Sequence, residues 1–224
     1  MTEQTAAKIL RRPRWLAVTA WVLGLVILVN VVLGIWWSRQ PDVFWVTRNV
    51  DNNRVVVGYA TTDTLVRVAE TMLDKPGGYL SNDVMPPGVV LDNTPNWELG
   101  VLQQVRDLAR VIRNDYSRSQ SQSKEDDDVR EAEQAFFIDN TSWIFPKAES
   151  EYRRAIEGFE SYRDRLSDDN DLDAQFYARA DNLREWLAVV EKRLGNLSQR
   201  LSASVGQVRV NTDLAGDPSA QSNQ

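Results

Sequence analysis

The chain predicts an all-α protein, with a single N-terminal transmembrane helix followed by an extracytoplasmic helical bundle that leaves room for a small β-hairpin at its base. Three observations carry this. The run from Trp15 to Trp37 contains no Asp, Glu, Lys or Arg. Beyond it, apolar residues recur at helical spacing, and the last such segment keeps a heptad rhythm. The stretches between are rich in Pro, Gly and Asx, which end helices and build turns.

The first element is the apolar run. As a helix, its 23 residues reach roughly 35 Å at 1.5 Å per residue. That exceeds the ~30 Å hydrocarbon core of a bilayer, so the helix can cross with some tilt. Trp15 marks one end and Trp36 and Trp37 the other, where indole rings favour the headgroup level; Trp21 lies within. Asn30 is the one strongly polar side chain in mid-span, able to bond a neighbouring helix or simply tolerated. Residues 1–14 carry Lys8, Arg11, Arg12 and Arg14 against Glu3 alone, which predicts a cytoplasmic N-terminus. The remainder carries a net charge of about −9 and is expected in the periplasm of a bacterium, the span lying in the inner membrane. A cleaved signal peptide needs a shorter apolar core and a small-x-small site, and Ile35-Trp36-Trp37-Ser38-Arg39 offers neither. The lipid bilayer is thus the first expected partner.

Composition excludes several classes. There is no Cys, so packing alone must hold the exterior domain. There is no His, which removes the commonest general base and zinc ligand. The acidic balance argues against nucleic acid.

Residues 38–60 follow as a juxtamembrane stalk or hairpin: Phe44-Trp45-Val46 and Val55-Val56-Val57 are β-rich and flank an Asx cluster. The helical domain is expected over 61–210. Thr61-Thr62-Asp63 starts a helix whose buried face is Leu65, Val68, Ala69, Met72 and Leu73, ended by Pro76-Gly77-Gly78. The loop from Tyr79 to Asn93 is irregular but too apolar for a solvated linker, so Val84, Met85, Val89, Val90 and Leu91 are expected to pack on the domain. Thr94-Pro95 opens a helix with the stripe Trp97, Val101, Val105, Leu108, Ile112 and Tyr116. Ser117–Asp128 reads as a mobile polar connection. Val129–Phe137 is a short helix. Trp143-Ile144-Phe145-Pro146 leads into another, faced by Tyr152, Ile156, Phe159, Tyr162 and Leu166. The last helix is predicted over Asp173–Val208, with Phe176, Ala180, Leu183, Leu187, Val190, Leu194, Leu197 and Leu201 spaced 4, 3, 4, 3, 4, 3, 4. Residues 211–224 read as a disordered tail.

Two segments, GGYLSNDVMPPGVVLDNTPNWELGVLQQVRDLARVIRNDYSRSQSQS (Gly77–Ser123) and AQFYARADNLREWLAVVEKRLGNLSQRLSASVG (Ala174–Gly206), carry a family likeness. The chain resembles, from the span to about Gly216, an uncharacterised bacterial inner-membrane family, the domain of unknown function 2333. The resemblance implies a single-span envelope protein with a helical exterior domain and no assigned activity or catalytic residues. It further implies that members continue with more helix, so that here the heptad face would stand exposed or be filled by another copy.

Candidate chemistry is sparse. Glu125-Asp126-Asp127-Asp128 offers oxygens for a hard cation, but a solvated charge run explains it. Asp169-Asn170-Asp171-Leu172-Asp173 opens like a Ca²⁺ loop, yet Ala174 and Ala180 stand where Gly and Glu are required, and helix capping explains the acids. Glu98, Asp107, Glu149 and Glu151 lie near Trp97, Trp143 and Tyr152, as a sugar-cleaving acid pair would, but no spacing selects a pair. No nucleotide loop, nucleophile elbow or metalloprotease motif occurs. We therefore expect no catalytic, metal or cofactor residues. The expected function is a non-catalytic periplasmic scaffold, associating with itself or an envelope protein through the seam Leu183, Leu187, Val190, Leu194, Leu197 and Leu201. Tyr79, Asp83, Met85 and Trp97 form a candidate docking loop. The alternative is a cell-wall or lipid-related enzyme or ligand-binding protein with acids and aromatics in a groove.

Overall fold

The computed structural model describes residues 14–46, 50–51, 54–118, 124–168 and 173–206, with the backbone alone at 14, 50, 51, 54 and 206. Among them are six α-helices: α1 (Arg14–Trp37), α2 (Tyr59–Asp74), α3 (Asn93–Val111), α4 (Asp127–Phe136), α5 (Ala148–Leu166) and α6 (Ala180–Gly206). The chain divides into two compact units, 1–182 and 183–224.

α1 is apolar all round. Its 23 residues from Trp15 to Trp37 have a mean hydropathy of 2.6, and it is long and apolar enough to cross a membrane. Its polar side chains turn back on their own helix: Asn30 Nδ2 donates to the Val26 carbonyl at 2.9 Å and Thr19 Oγ1 to Leu16 at 3.0 Å. One of the Asn30 amide hydrogens is thus satisfied within its own helix. Of the basic tail, Arg14 begins α1 and Lys8, Arg11 and Arg12 lie outside the described residues.

After α1, β1 (Val50–Asp51) and β2 (Arg54–Val55) pair antiparallel, with Val50 opposite Val55. Among the described residues the hairpin is confined to these. Phe44 and Trp45 instead meet α2: the Arg67 guanidinium lies 4.6 Å from the Phe44 ring and donates to the Trp45 carbonyl at 2.9 Å.

α2 to α5 close into an up-down four-helix ring, each packed on its sequence neighbours and α2 also on α5. Ion pairs fix the directions. Asp74 at the end of α2 meets Arg153 near the start of α5 at 2.6 Å, while Asp63 meets Arg163 at 3.0 Å. Those helices are therefore antiparallel. Arg106 of α3 likewise donates to the Phe136 and Ile138 carbonyls where α4 ends, at 2.6 and 2.7 Å. The α2–α3 and α4–α5 loops thus share one end of the ring. The core gathers Leu65, Met72, Leu102, Ile112, Phe136, Tyr152, Phe159 and Tyr162, all fully buried. Each such side chain contributes about 1.5–3 kcal/mol by leaving water.

Several expectations need correction. α2 starts at Tyr59, because Gly58 at φ +87° turns the chain there; a Cβ on it would lie 2.3 Å from the Phe176 ring. The buried face of α3 is Glu98, Leu102, Val105, Ala109, continuing to Ile112 and Tyr116, rather than one led by Trp97. α3 runs into a π-helical turn, Ile112–Tyr116, closed by Ser117 N–H on the Ile112 carbonyl at 2.7 Å. The last helix starts at Ala180, not Asp173. Phe176 leaves the heptad and stacks on Tyr116 at 4.6 Å, and Tyr177 N–H bonds the Tyr116 carbonyl at 2.7 Å. The acidic run, expected as a solvated charge run, is so only at Asp127, whose side chain is exposed. Asp126 caps α4 through Val129 N–H and grips Arg165 twice at 2.9 Å, and Asp128 takes Arg165 and Ser161. Residues 119–123 of the expected mobile connection, Asp169–Leu172 of the Ca²⁺-like stretch and the tail after Gly206 lie outside the described residues.

Candidate functional site

The end of the ring beside α1 is built on a buried charge pair. Lys75, just past α2, donates Nζ to the Glu98 carboxylate and to the Met72 and Gly78 carbonyls, and both side chains are essentially out of solvent. Glu98 also accepts from Leu80 N–H at 2.8 Å, Ser81 N–H at 2.7 Å and Ser81 Oγ at 2.5 Å. Every strong partner of the carboxylate is supplied, which is what a buried charge requires. Burial pushes the Lys75 ammonium below its ordinary value, and Glu98 opposes that. The pair pins residues 75–81 to the first turns of α3.

From this hub the α2–α3 loop runs along α1. Trp37 lies over Gly77, whose φ of +91° suits glycine; a Cβ there would meet the indole Cγ at 2.6 Å. One turn back, a Cβ on Gly34 would lie 3.8 Å from Pro87 and 3.9 Å from Leu91, an ordinary packing distance. Asp83 folds its carboxylate onto Gly88. Burial first, then Glu149 and Glu98, push the Asp83 carboxyl up. The α4–α5 loop joins here: Tyr79 OH donates to the Asn140 carbonyl at 3.1 Å, and Asn82 Nδ2 to the Ser142 carbonyl at 2.9 Å and Glu149 at 2.8 Å.

The candidate docking residues divide on this geometry. Tyr79 is a core residue, edge-on to Tyr152 at 5.6 Å, and cannot be a contact. Asp83 is half-buried, Trp97 is partly exposed, and Met85 is 72% exposed. Val84, Val89 and Val90, expected to pack inward, are exposed instead. Trp143, Ile144 and Phe145 form a second exposed tip ahead of α5, with Phe145 at 90%. That tip is visible in the sequence only as an apolar run. Its partnership with the α2–α3 loop depends on Asn82 and Tyr79, which no periodicity announces.

The acids weighed for catalysis have other work. Glu98 is held by Lys75 and the loop amides. Glu149 bonds Asn82 and pairs with Lys147 at 3.1 Å, and Glu151 pairs with Arg154 at 2.7 Å. Asp107 is buried in α3. A cleft of about 460 Å³ between residues 41–44 and α2 holds Glu70 and Asp74 beside Arg67. Burial, then Glu160 and Asp74, push the Glu70 carboxyl up. Among the described residues no three potential ligands gather closely enough to hold a metal ion.

In the second unit, Leu183, Leu187, Leu194, Leu197 and Leu201 of α6 are all exposed, and Val190 is half-buried. Their 3- and 4-residue steps put them on one stripe.

No curated relative and no solved structure matches the chain. Residues 10–224 match the family described as an uncharacterized protein conserved in bacteria, the domain of unknown function 2333. That match takes in α1, the four-helix ring and the leucine-striped α6 together, and the chain belongs to this family.

Proposed function

We propose that the chain is a non-catalytic scaffold of the bacterial cell envelope. α1 anchors it as a single span in the inner membrane, with the N-terminus cytoplasmic and the helical domain periplasmic. The carrying observation is the α6 stripe. Five leucines at heptad spacing are exposed along 27 residues of helix, and a soluble helix with such a face buries it against another helix. A heptad stripe is complementary to its own copy, so the occupant proposed is α6 of a second chain. The length and apolarity of α1, the four cations up to and including its first residue and the acidic remainder support the placement.

The test is crosslinking in the membrane of the full chain, followed by mass spectrometry, with a Leu187→Ala, Leu194→Ala, Leu201→Ala variant in parallel. The expected result is an α6–α6 crosslink that the triple variant reduces at least about tenfold, since three buried Leu→Ala changes at 2–5 kcal/mol each exceed the ~1.4 kcal/mol a decade requires. Crosslinks that survive the triple variant unchanged, or recovery of only abundant bystander proteins, overturn the scaffold reading.

A further inference from the structure

Among the described residues nothing covers the apolar tips at this end of the ring, and the position of the α2–α3 loop against α1 says what covers them. Met85, Val89 and Val90 of one loop and Trp143, Ile144 and Phe145 of the other are all largely exposed. The loops that carry them are tied together, Tyr79 OH donating to the Asn140 carbonyl and Asn82 Nδ2 to the Ser142 carbonyl, so both tips lie at the same end of the ring. Exposed apolar patches of this kind mark interaction sites. The stretch Val84–Leu91 contains no charged residue.

The level of the patch follows from α1. Pro87 and Leu91 lie beside α1 at Gly34, three residues before Trp37, within 3.9 Å of where a Cβ would stand. At 1.5 Å per residue that is about 4.5 Å toward the lipid side of Trp37. Trp36 and Trp37 belong at the headgroup level, so the loop reaches the top of the acyl region. Interfacial elements bury their apolar faces to about 5–10 Å, a comparable depth. The half-buried side of α1 agrees: Asn30, Leu33, Gly34 and Trp37, at helical spacing, are less exposed than their neighbours. Two exposed cations follow these apolar segments, Arg39 two residues past Trp37 and Lys147 two past Phe145, the latter also paired with Glu149 at 3.1 Å.

Resting on the anchor reading above, we propose that the α2–α3 and α4–α5 loop tips are a second membrane-binding element, seated in the periplasmic leaflet of the bilayer beside α1. The occupant of the patch is lipid, not a protein. The domain is then held against the membrane at three points and does not swing on its stalk.

The chain has no Cys, so single-Cys probes are unambiguous. The full chain is reconstituted into phosphatidylethanolamine–phosphatidylglycerol vesicles with a polarity-sensitive fluorophore at Met85→Cys, Val90→Cys or Phe145→Cys. Controls are Ile27→Cys in mid-α1 and Glu157→Cys on the exposed side of α5. Lipids carrying a nitroxide near the headgroup, or deep in the chain, are the quenchers. The three tip labels should be quenched at least about twofold, more by the shallow nitroxide than the deep one, as an interfacial depth requires. Ile27 should respond to the deep nitroxide and Glu157 to neither. Tip labels that behave like Glu157 while Ile27 is quenched overturn the proposal and return the patch to water or a protein partner. An unquenched Ile27 overturns the anchor itself, and the tip proposal with it.

Discussion

Glu98 shows how a single residue decides a helix face. It is fully buried, and its carboxylate takes Lys75, two backbone amides and Ser81 Oγ. Removing one member of a buried pair strands the other, so Glu98→Ala should cost about 3–5 kcal/mol in denaturant unfolding of the full chain in detergent. A Lys75→Met, Glu98→Gln double variant should cost less than the single change, because no charge is left alone. Spacing alone hides this residue, because a charge on an apolar stripe breaks the pattern that marks a buried face. Stepping back from Tyr116 through Ile112, Ala109, Val105 and Leu102 by fours and threes does land on Glu98. Trp97, one position round the helix, was the more hydrophobic choice, and it is the one exposed. Glu70 gives a pH-dependent counterpart. Its carboxyl is pushed up by burial and by Glu160 and Asp74, so the folded state prefers it protonated. That preference stabilises fully below the ordinary carboxyl range and is lost as pH rises through the raised value. Glu70→Gln should therefore raise the melting temperature at pH 7 and lose its advantage near pH 4. The gain should stay under about 1 kcal/mol for a carboxylate this open to solvent.

At the scale of the element, the acidic segment before α4 separates appearance from role. Asp126 and Asp127 are adjacent and chemically identical. Asp126 caps the helix at Val129 N–H and holds Arg165 with both oxygens, its side chain only 6% exposed. Asp127 reaches only Arg130 from a side chain 79% exposed. Asp126→Ala should cost about 2–4 kcal/mol, the loss of a cap near 1 kcal/mol plus a guanidinium left short of its partner, while Asp127→Ala should cost under about 0.5 kcal/mol. Thermal unfolding of the two variants side by side checks this. The helices themselves were legible where propensity, spacing and burial agreed. The face of α5 through Tyr152, Ile156, Phe159 and Tyr162 is as its 3.6-residue period requires. The start of α6 was not, because Phe176 fits the heptad by spacing yet gains more by stacking on Tyr116 over Gly58. Spacing sees one helix at a time; that contact joins segments about 60 and 118 residues apart, from Tyr116 and Gly58 to Phe176.

For the whole molecule, the alternating helix directions have a topological consequence. α2 descends to the α1 end, α3 leaves it, α4 returns and α5 leaves again, as the Asp74–Arg153 and Asp63–Arg163 pairs require. Both apolar-tipped loops therefore fall at one end of the ring, the end where the α2–α3 loop meets α1, and an up-down ring with short connections gives that result without any long crossover. Gly77 is where this arrangement is most sensitive. It takes φ +91° under the Trp37 indole, so Gly77→Ala brings both backbone strain and a collision with the end of α1. It should cost about 1–3 kcal/mol and shift Trp fluorescence, whereas Gly100→Ala, with open space around it, should be neutral or slightly stabilising through better helix propensity. On the anchor reading proposed above, the side of the membrane that the ring occupies follows from a different quantity, the charge beside α1. Lys8, Arg11, Arg12 and Arg14 face Glu3 alone, and positive flanks stay in the cytoplasm. A phosphatase that matures only outside the cytoplasm, fused after Gln224, should be active, and a fluorescent protein that matures only inside should be dark there. Replacing all four cations with Gln should erode that asymmetry, because the remaining flank holds no cation to retain. A fluorescent C-terminal fusion on the unaltered chain would reverse the orientation, and with it the leaflet in which the two loop tips are placed.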